Sequence, residues 1–97
     1  MICSFADKLT EDLFNGEPSR RVRKLNNNLV QAAFRKLDML NSATSLEDLR
    51  SPPGNRLEAL RGDLVGHYSI RVNDPWRVVF RWTPAGPEAV RFVDYHS

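Results

Sequence analysis

Residues Tyr68-Ser69-Ile70-Arg71-Val72-Asn73-Asp74-Pro75-Trp76-Arg77-Val78-Val79-Phe80-Arg81-Trp82 alternate apolar with polar side chains on either side of a turn signal. Side chains of an extended chain point to opposite faces in turn, so Tyr68, Ile70 and Val72 share a face, as do Trp76, Val78, Phe80 and Trp82. If Asn73-Asp74-Pro75 forms a three-residue loop, Val72 faces Trp76, Ile70 faces Val78 and Tyr68 faces Phe80. Both apolar sets then point the same way. A two-residue loop would send them to opposite faces, so the hydrophobic pattern selects the longer one. The same register sets Arg71 opposite Arg77 and His67 opposite Arg81 on the other face. Like charges directly opposite cost a few tenths of a kcal/mol to about 1 kcal/mol. Such a face either carries neutralising carboxylates, for which Glu58 and Asp94 are available, or exists to meet an anion.

Outward from this hairpin, extended segments are expected at residues 56–60, 67–72, 76–82 and 88–95, with turns at Gly62-Asp63 and Pro84-Ala85-Gly86-Pro87. On the N-terminal side, Ser51-Pro52-Pro53-Gly54-Asn55 cannot continue a helix and marks a change of character. Before it the chain reads as helical. Asp7 or Thr10 caps a short helix ended by Asn15-Gly16, and Ser19 caps a long one. Val22, Leu25, Leu29, Ala32 or Ala33, Lys36 or Leu37, and Leu40 form the stripe of that long helix, which Asn41 closes. Thr44 and Glu47 match a capping box opening a short turn through Leu49. Helices followed by a meander define an α+β fold, a small antiparallel sheet with two to three helices packed on one face.

The chain has 97 residues, room for one domain over residues 1–97 but not for a deep two-lobed cleft. Any chemistry must then occur on a face, with the partner supplying much of the enclosure. The net charge is only +2, yet from Arg50 onward every basic side chain is arginine: Arg50, Arg56, Arg61, Arg71, Arg77, Arg81 and Arg91. A guanidinium grips phosphate bidentately where an ammonium acts as a point charge; coding bias gives the same composition, and composition does not separate the two. For Arg20, Arg21, Arg23, Lys24, Arg35 and Lys36 on the helices, a solvated face and RNA-backbone contact both stand. The single cysteine, Cys3, allows no internal disulfide and reads as a small core residue. There is no long apolar run and no basic start followed by an apolar stretch, so neither a membrane span nor a secretory signal is expected and the cytosol is the default. Two histidines and one cysteine at unrelated spacings make no metal site, and no glycine-rich phosphate loop occurs; no cofactor is expected. Trp76, Trp82, Phe80 and Phe92 fall on the apolar alternation and read as core.

Arg56-Leu57-Glu58-Ala59-Leu60-Arg61-Gly62-Asp63, the strand pair around Trp76-Arg77, and the ending Val93-Asp94-Tyr95-His96 together resemble the HigB toxins of the RelE/ParE superfamily. Met1-Ile2-Cys3-Ser4-Phe5 and Arg35-Lys36-Leu37-Asp38-Met39-Leu40 fit as well, so the resemblance spans nearly the whole chain. It implies a RelE/ParE-like fold and a ribosome-dependent messenger-RNA endonuclease that stops translation. It also implies a helix-turn-helix antitoxin of HigA type that carries the pair to operator DNA, and no membrane partner. A non-catalytic relative of ParE type, which inhibits DNA gyrase by binding, is the alternative; an RNA-binding subunit with a basic sheet is the blander one.

Metal-free RNA cleavage by the adjacent 2′-hydroxyl needs a base for that hydroxyl, an acid for the leaving 5′-oxygen and cations for the phosphorane. Under the resemblance, His96 is the proton carrier, because the intrinsic pKa of a histidine is the side-chain value closest to neutrality. Arg77 is expected to stabilise the phosphate, helped by Arg61, Arg71, Arg81 and Arg56. Tyr95 either stacks on a base or packs in the core, and Asp94 orients His96 or an arginine. Some relatives carry a catalytic histidine where this chain has Glu58, which either takes the base role or pairs with Arg61 or Arg71. His67 does not obviously substitute for it.

Overall fold

A four-stranded antiparallel meander in the order β1-β2-β3-β4 carries the fold: β1 (Glu58–Ala59), β2 (His67–Asn73), β3 (Trp76–Thr83) and β4 (Gly86–Asp94). The computed structural model describes residues 1–94; Tyr95 and His96 lie outside the described residues. Tyr68 pairs with Phe80, Ile70 with Val78, Arg71 with Arg77 and His67 with Arg81, the register that the hydrophobic pattern dictates. The turn differs from expectation. Asn73, not Val72, pairs with Trp76, so the connection is Asp74-Pro75, and the pairing shifts between Arg71 and Asn73. A bulge of one residue flips the side-chain parity of its strand, which offsets the flip a two-residue turn would impose. The apolar sets therefore still share a face: Ile70, Val72, Val78 and Phe80 are buried. Trp76 and Trp82 lie partly buried against that core, with Trp76 stacked on buried Phe92 at 4.6 Å.

β1 is shorter than the expected segment over 56–60, because Arg56 turns into the left-handed region (φ 45°) as it closes the 3-10 turn Pro53–Asn55. The outer edge of β4 is closed by the N-terminal segment. The Cys3 amide donates to the Pro87 carbonyl (2.7 Å), Val90 donates to Ser4 (3.1 Å) and Ala6 donates to Val90 (2.8 Å). Cys3 is thus not a core residue: its backbone serves the sheet edge while its side chain is exposed. Gly86 (φ 127°) lets this segment approach, since a Cβ there would collide with the Met1 carbonyl.

Helix α1 (Lys8–Asn15) starts at Asp7, whose carboxylate accepts from the Thr10 amide (3.0 Å), and ends at Gly16 (φ 71°). The expected long helix from Ser19 is two. α2 (Arg20–Arg23) is a single turn capped by Ser19, and α3 (Asn27–Ser42) begins anew at Asn26, whose side chain accepts from the Asn28 amide (2.8 Å). Asparagine competes with helix continuation by bonding nearby backbone N–H groups, and three in succession break the stripe. From α3, Ala33, Leu37 and Leu40 are fully buried and pack with Leu13 of α1 over Ile70, Val78, Phe80 and Val90. The turn after α3 (Leu46–Arg50) uses Ser45 and Asp48 as its capping box, one residue beyond the expected pair; Asp48 accepts from the Thr44 and Ser45 amides (2.9 and 3.2 Å). Among the described residues no helix is long and apolar enough to cross a membrane.

Candidate active site

The corner of the sheet where β1, β2 and β3 meet the Asp74-Pro75 turn gathers the charged groups. Arg77 stands at its centre, only 11% exposed. Its Nε donates to Ser69 Oγ (2.8 Å), its Nη2 donates to the Arg56 carbonyl (2.7 Å), and Glu58 Oε1 lies 3.8 Å from Nη2. Local structure explains each anchor. Ser69 sits one position before Ile70 in β2 and is fully buried, so its hydroxyl faces the guanidinium across the strand pair. The Arg56 carbonyl is aimed by the left-handed turn, which buried Asn55 fixes: its amide donates to the Leu49 and Ser51 carbonyls (3.1 and 3.3 Å) and its Oδ1 accepts from Lys36 Nζ (2.5 Å). Hydrogen bonds to a charged group contribute roughly 1.5–3 kcal/mol each. They hold the fork in one orientation before any ligand arrives.

Arg71 lies across the ladder from Arg77 and donates from Nε to Asp74 Oδ1 (3.0 Å). That hydrogen bond and the Arg71 charge hold the Asp74 carboxyl below its ordinary 3.8, with Arg56 and Arg77 adding to the effect against the opposing cost of desolvation. Burial pulls the Lys36 ammonium below its ordinary 10.5, with Arg35 and Arg71 contributing. The corner is therefore a focus of positive potential in which exposed carboxylates (Glu58 56%, Asp74 84%) form the acidic side of the pairs. Exposed pairs of this kind exchange readily with another anion.

The expected site residues do not all meet there. Arg56, Glu58, Arg71 and Arg77 do. Asp94 ends the described chain at the same end of the sheet, where it pairs with Trp76, the residue before Arg77. Tyr95 and His96 are outside the described residues. Arg81 lies four residues along β3, about 13 Å away at the rise of a strand, and pairs with Glu88 (3.8 Å). Arg61 opens the turn that leads to His67, at that same far end; its carbonyl accepts from the Leu64 amide (3.2 Å), and its side chain forms no hydrogen bond or ion pair among the described residues. Glu58 pairs with Arg77 rather than with Arg61 or Arg71. On the helices, Arg21 pairs with buried Asp12 (3.2 Å). Sequence reasoning missed Ser69, Asp74 and the Asn55–Lys36 prop. Asp74 carried a signal, an acid three residues after Arg71 in the turn; the Arg56 carbonyl carried none, because its use depends on a backbone angle.

This arrangement suits phosphate bound without a metal: a fixed guanidinium, a second one across the ladder, and a carboxylate beside the first. Among the described residues no group of three histidine, cysteine or acidic side chains is placed to hold a metal ion.

Comparison with known proteins shows the family. Residues 3–96 match the model of the HigB-like toxin family, described as the RelE-like toxin of type II toxin-antitoxin system HigB. The chain is 44% identical over 97 residues to Toxin HigB-1 of Vibrio cholerae serotype O1, covering 100% of this chain and 99% of that protein. It is 29% identical over 101 residues to Endoribonuclease HigB of Proteus vulgaris, covering 99% and 100%. In fold it is similar to the YoeB-YefM complex from Staphylococcus aureus, with a TM-score of 0.63 at 17% identity over 100% of this chain and 99% of that one. The chain belongs to the HigB-like family of RelE-like toxins of type II toxin–antitoxin systems.

Proposed function

We propose that this HigB toxin is a metal-independent endoribonuclease that cuts messenger RNA on the ribosome and so inhibits translation. The observation that carries the reading is the preorganised Arg77 fork with Glu58 beside it and Arg71 opposite. Glu58 takes the proton of the 2′-hydroxyl as that oxygen attacks phosphorus. The bond to the 5′-oxygen breaks and His96 protonates the leaving oxygen, giving a 2′,3′-cyclic phosphate and a 5′-hydroxyl end. Arg77 and Arg71 stabilise the charge of the phosphorane, a task for which donors fixed in advance cost no reorganisation. Asp94 orients His96, Tyr95 stacks on a base, and Arg56, Arg61 and Arg81 hold flanking phosphates.

On this reading the ribosome supplies the enclosure that a shallow corner lacks, and the toxin acts in the cytoplasm. Its partner in the type II pair is a helix-turn-helix antitoxin of HigA type, and operator DNA is reached only through that protein. The test is induction of wild type, Arg77→Ala and His96→Ala in cells, scored by growth and by message cleavage. Both substitutions are expected to abolish toxicity and cleavage. Undiminished toxicity of both would refute the assignment, and continued translation with DNA damage under the wild type would favour a gyrase-directed toxin instead.

A further inference from the structure

Lys36 stands half-buried on α3, three residues after Ala33 and four before Leu40, both of which are buried. A lysine so placed ordinarily lays its stem along the apolar surface and leaves its ammonium in water. Here the ammonium turns to a neutral partner. Nζ donates to Asn55 Oδ1 (2.5 Å), and no carboxylate pairs with it among the described residues. Burial disfavours the ammonium, as do the charges of Arg35 and Arg71. A charge partly withdrawn from water with no opposite charge beside it lowers stability. A methionine would fill similar space without that penalty, so packing alone does not account for the lysine.

What the ammonium supplies is direction. Asn55 is fully buried, and an amide can present either its oxygen or its nitrogen to a neighbour. An ammonium donates and never accepts, so only the oxygen can face α3. The nitrogen then points to the Leu49 and Ser51 carbonyls (3.1 and 3.3 Å) and to the Met39 sulfur (3.1 Å). With both ends of the amide committed, the turn Pro53–Asn55 is fixed where the chain leaves it. Arg56 there takes up the left-handed region (φ 45°, ψ 55°), which a residue with a long side chain adopts only when its surroundings impose it. That angle presents the Arg56 carbonyl to Arg77 Nη2 (2.7 Å).

We propose that Lys36 is a positioning residue for cleavage: from the helix layer it orients the Asn55 amide, through that amide the turn at Arg56, and through the Arg56 carbonyl the Arg77 fork. The proposal rests on the endonuclease reading and adds to it a residue that touches no RNA. On this account Lys36 belongs neither to a solvated face nor to a contact with the RNA backbone.

The test compares wild type, Lys36→Met and Lys36→Arg in single-turnover cleavage of message on ribosome complexes, with toxin concentration varied to separate saturating rate from affinity. Lys36→Met is expected to lower the saturating rate about tenfold, the scale of one hydrogen bond to a charged group. Its affinity and salt dependence should stay as in wild type, and it should melt no lower. Lys36→Arg, whose side chain also only donates, should keep most of the rate. In the free protein, solvent exchange of the Arg77 Nε–H is followed by nuclear magnetic resonance, the signal being assigned by its absence in Arg77→Ala. That exchange should quicken several-fold in Lys36→Met as the fork loosens. A Lys36→Met protein that cleaves at the wild-type rate, or whose Arg77 Nε–H exchanges no faster, overturns the proposal and leaves the endonuclease reading standing. So does Lys36→Arg as slow as Lys36→Met, or a Lys36→Met protein that melts well below wild type, which would make the tie structural. A loss confined to affinity, with a shallower salt dependence, would make Lys36 a phosphate contact and likewise overturns it. Failure of wild type itself to cleave any message overturns both readings, an outcome distinct from the others.

Discussion

Arg77 is committed to three neighbours before substrate arrives, and its low exposure follows from that. The neutral anchor, Ser69, gives a test that changes no charge. Ser69→Ala should lower single-turnover cleavage about tenfold, the equivalent of one modest hydrogen bond to a charged group, with a smaller effect on substrate affinity. An unchanged rate would show that the fork needs no such hold. Asp12 offers a second test, of stability. The Ser19 hydroxyl, then Arg21 and Lys8, hold its carboxyl below the ordinary 3.8 against the opposing effect of burial. A carboxyl lowered in the folded state stabilises the fold above the unfolded value and loses that contribution as pH falls through the folded one. Wild type should therefore melt above Asp12→Asn at neutral pH, and the gap should close as pH falls below 3.8; a gap that widens in acid would contradict the sign. At this scale the sequence was only half legible. Arg77, Arg71 and Glu58 were named from alternation and resemblance, whereas the Arg56 carbonyl and the buried Asn55 depend on a backbone turn no periodicity encodes.

The β2–β3 hairpin shows what sequence pattern does and does not determine. Burial of one face fixes which residues oppose one another, so Arg71 against Arg77 followed from Ile70 against Val78. The length of the turn did not follow, because a bulge and a shorter turn give the same parity as a longer turn alone. Likewise the stripe from Val22 to Leu40 is real, yet local capping at Asn26 splits the helix that carries it. The turn also carries Asp74, which neutralises Arg71. Asp74→Asn should release that guanidinium and tighten binding of a 2′-deoxy, uncleavable message several-fold at low salt, with a steeper loss of affinity as salt rises. Weaker binding by the variant would mean that Asp74 positions Arg71 for the ligand instead of competing with it.

For the whole molecule, the helices and the N-terminal segment bury one face and one edge of the sheet, leaving the other face to carry the arginines. The α+β architecture was legible because helical and alternating periods occupy separate halves of the chain. The division of the arginines between two ends of the face was not legible, since it depends on how far apart the strands carry them. The most direct measurement is single-turnover cleavage of message in ribosome complexes with an empty decoding site, by wild type and by Arg77→Ala shown by thermal melting to be folded. A fall of about a hundredfold or more is predicted, the scale of losing one preorganised donor to the transition state. Cleavage by folded Arg77→Ala at the wild-type rate would contradict the account.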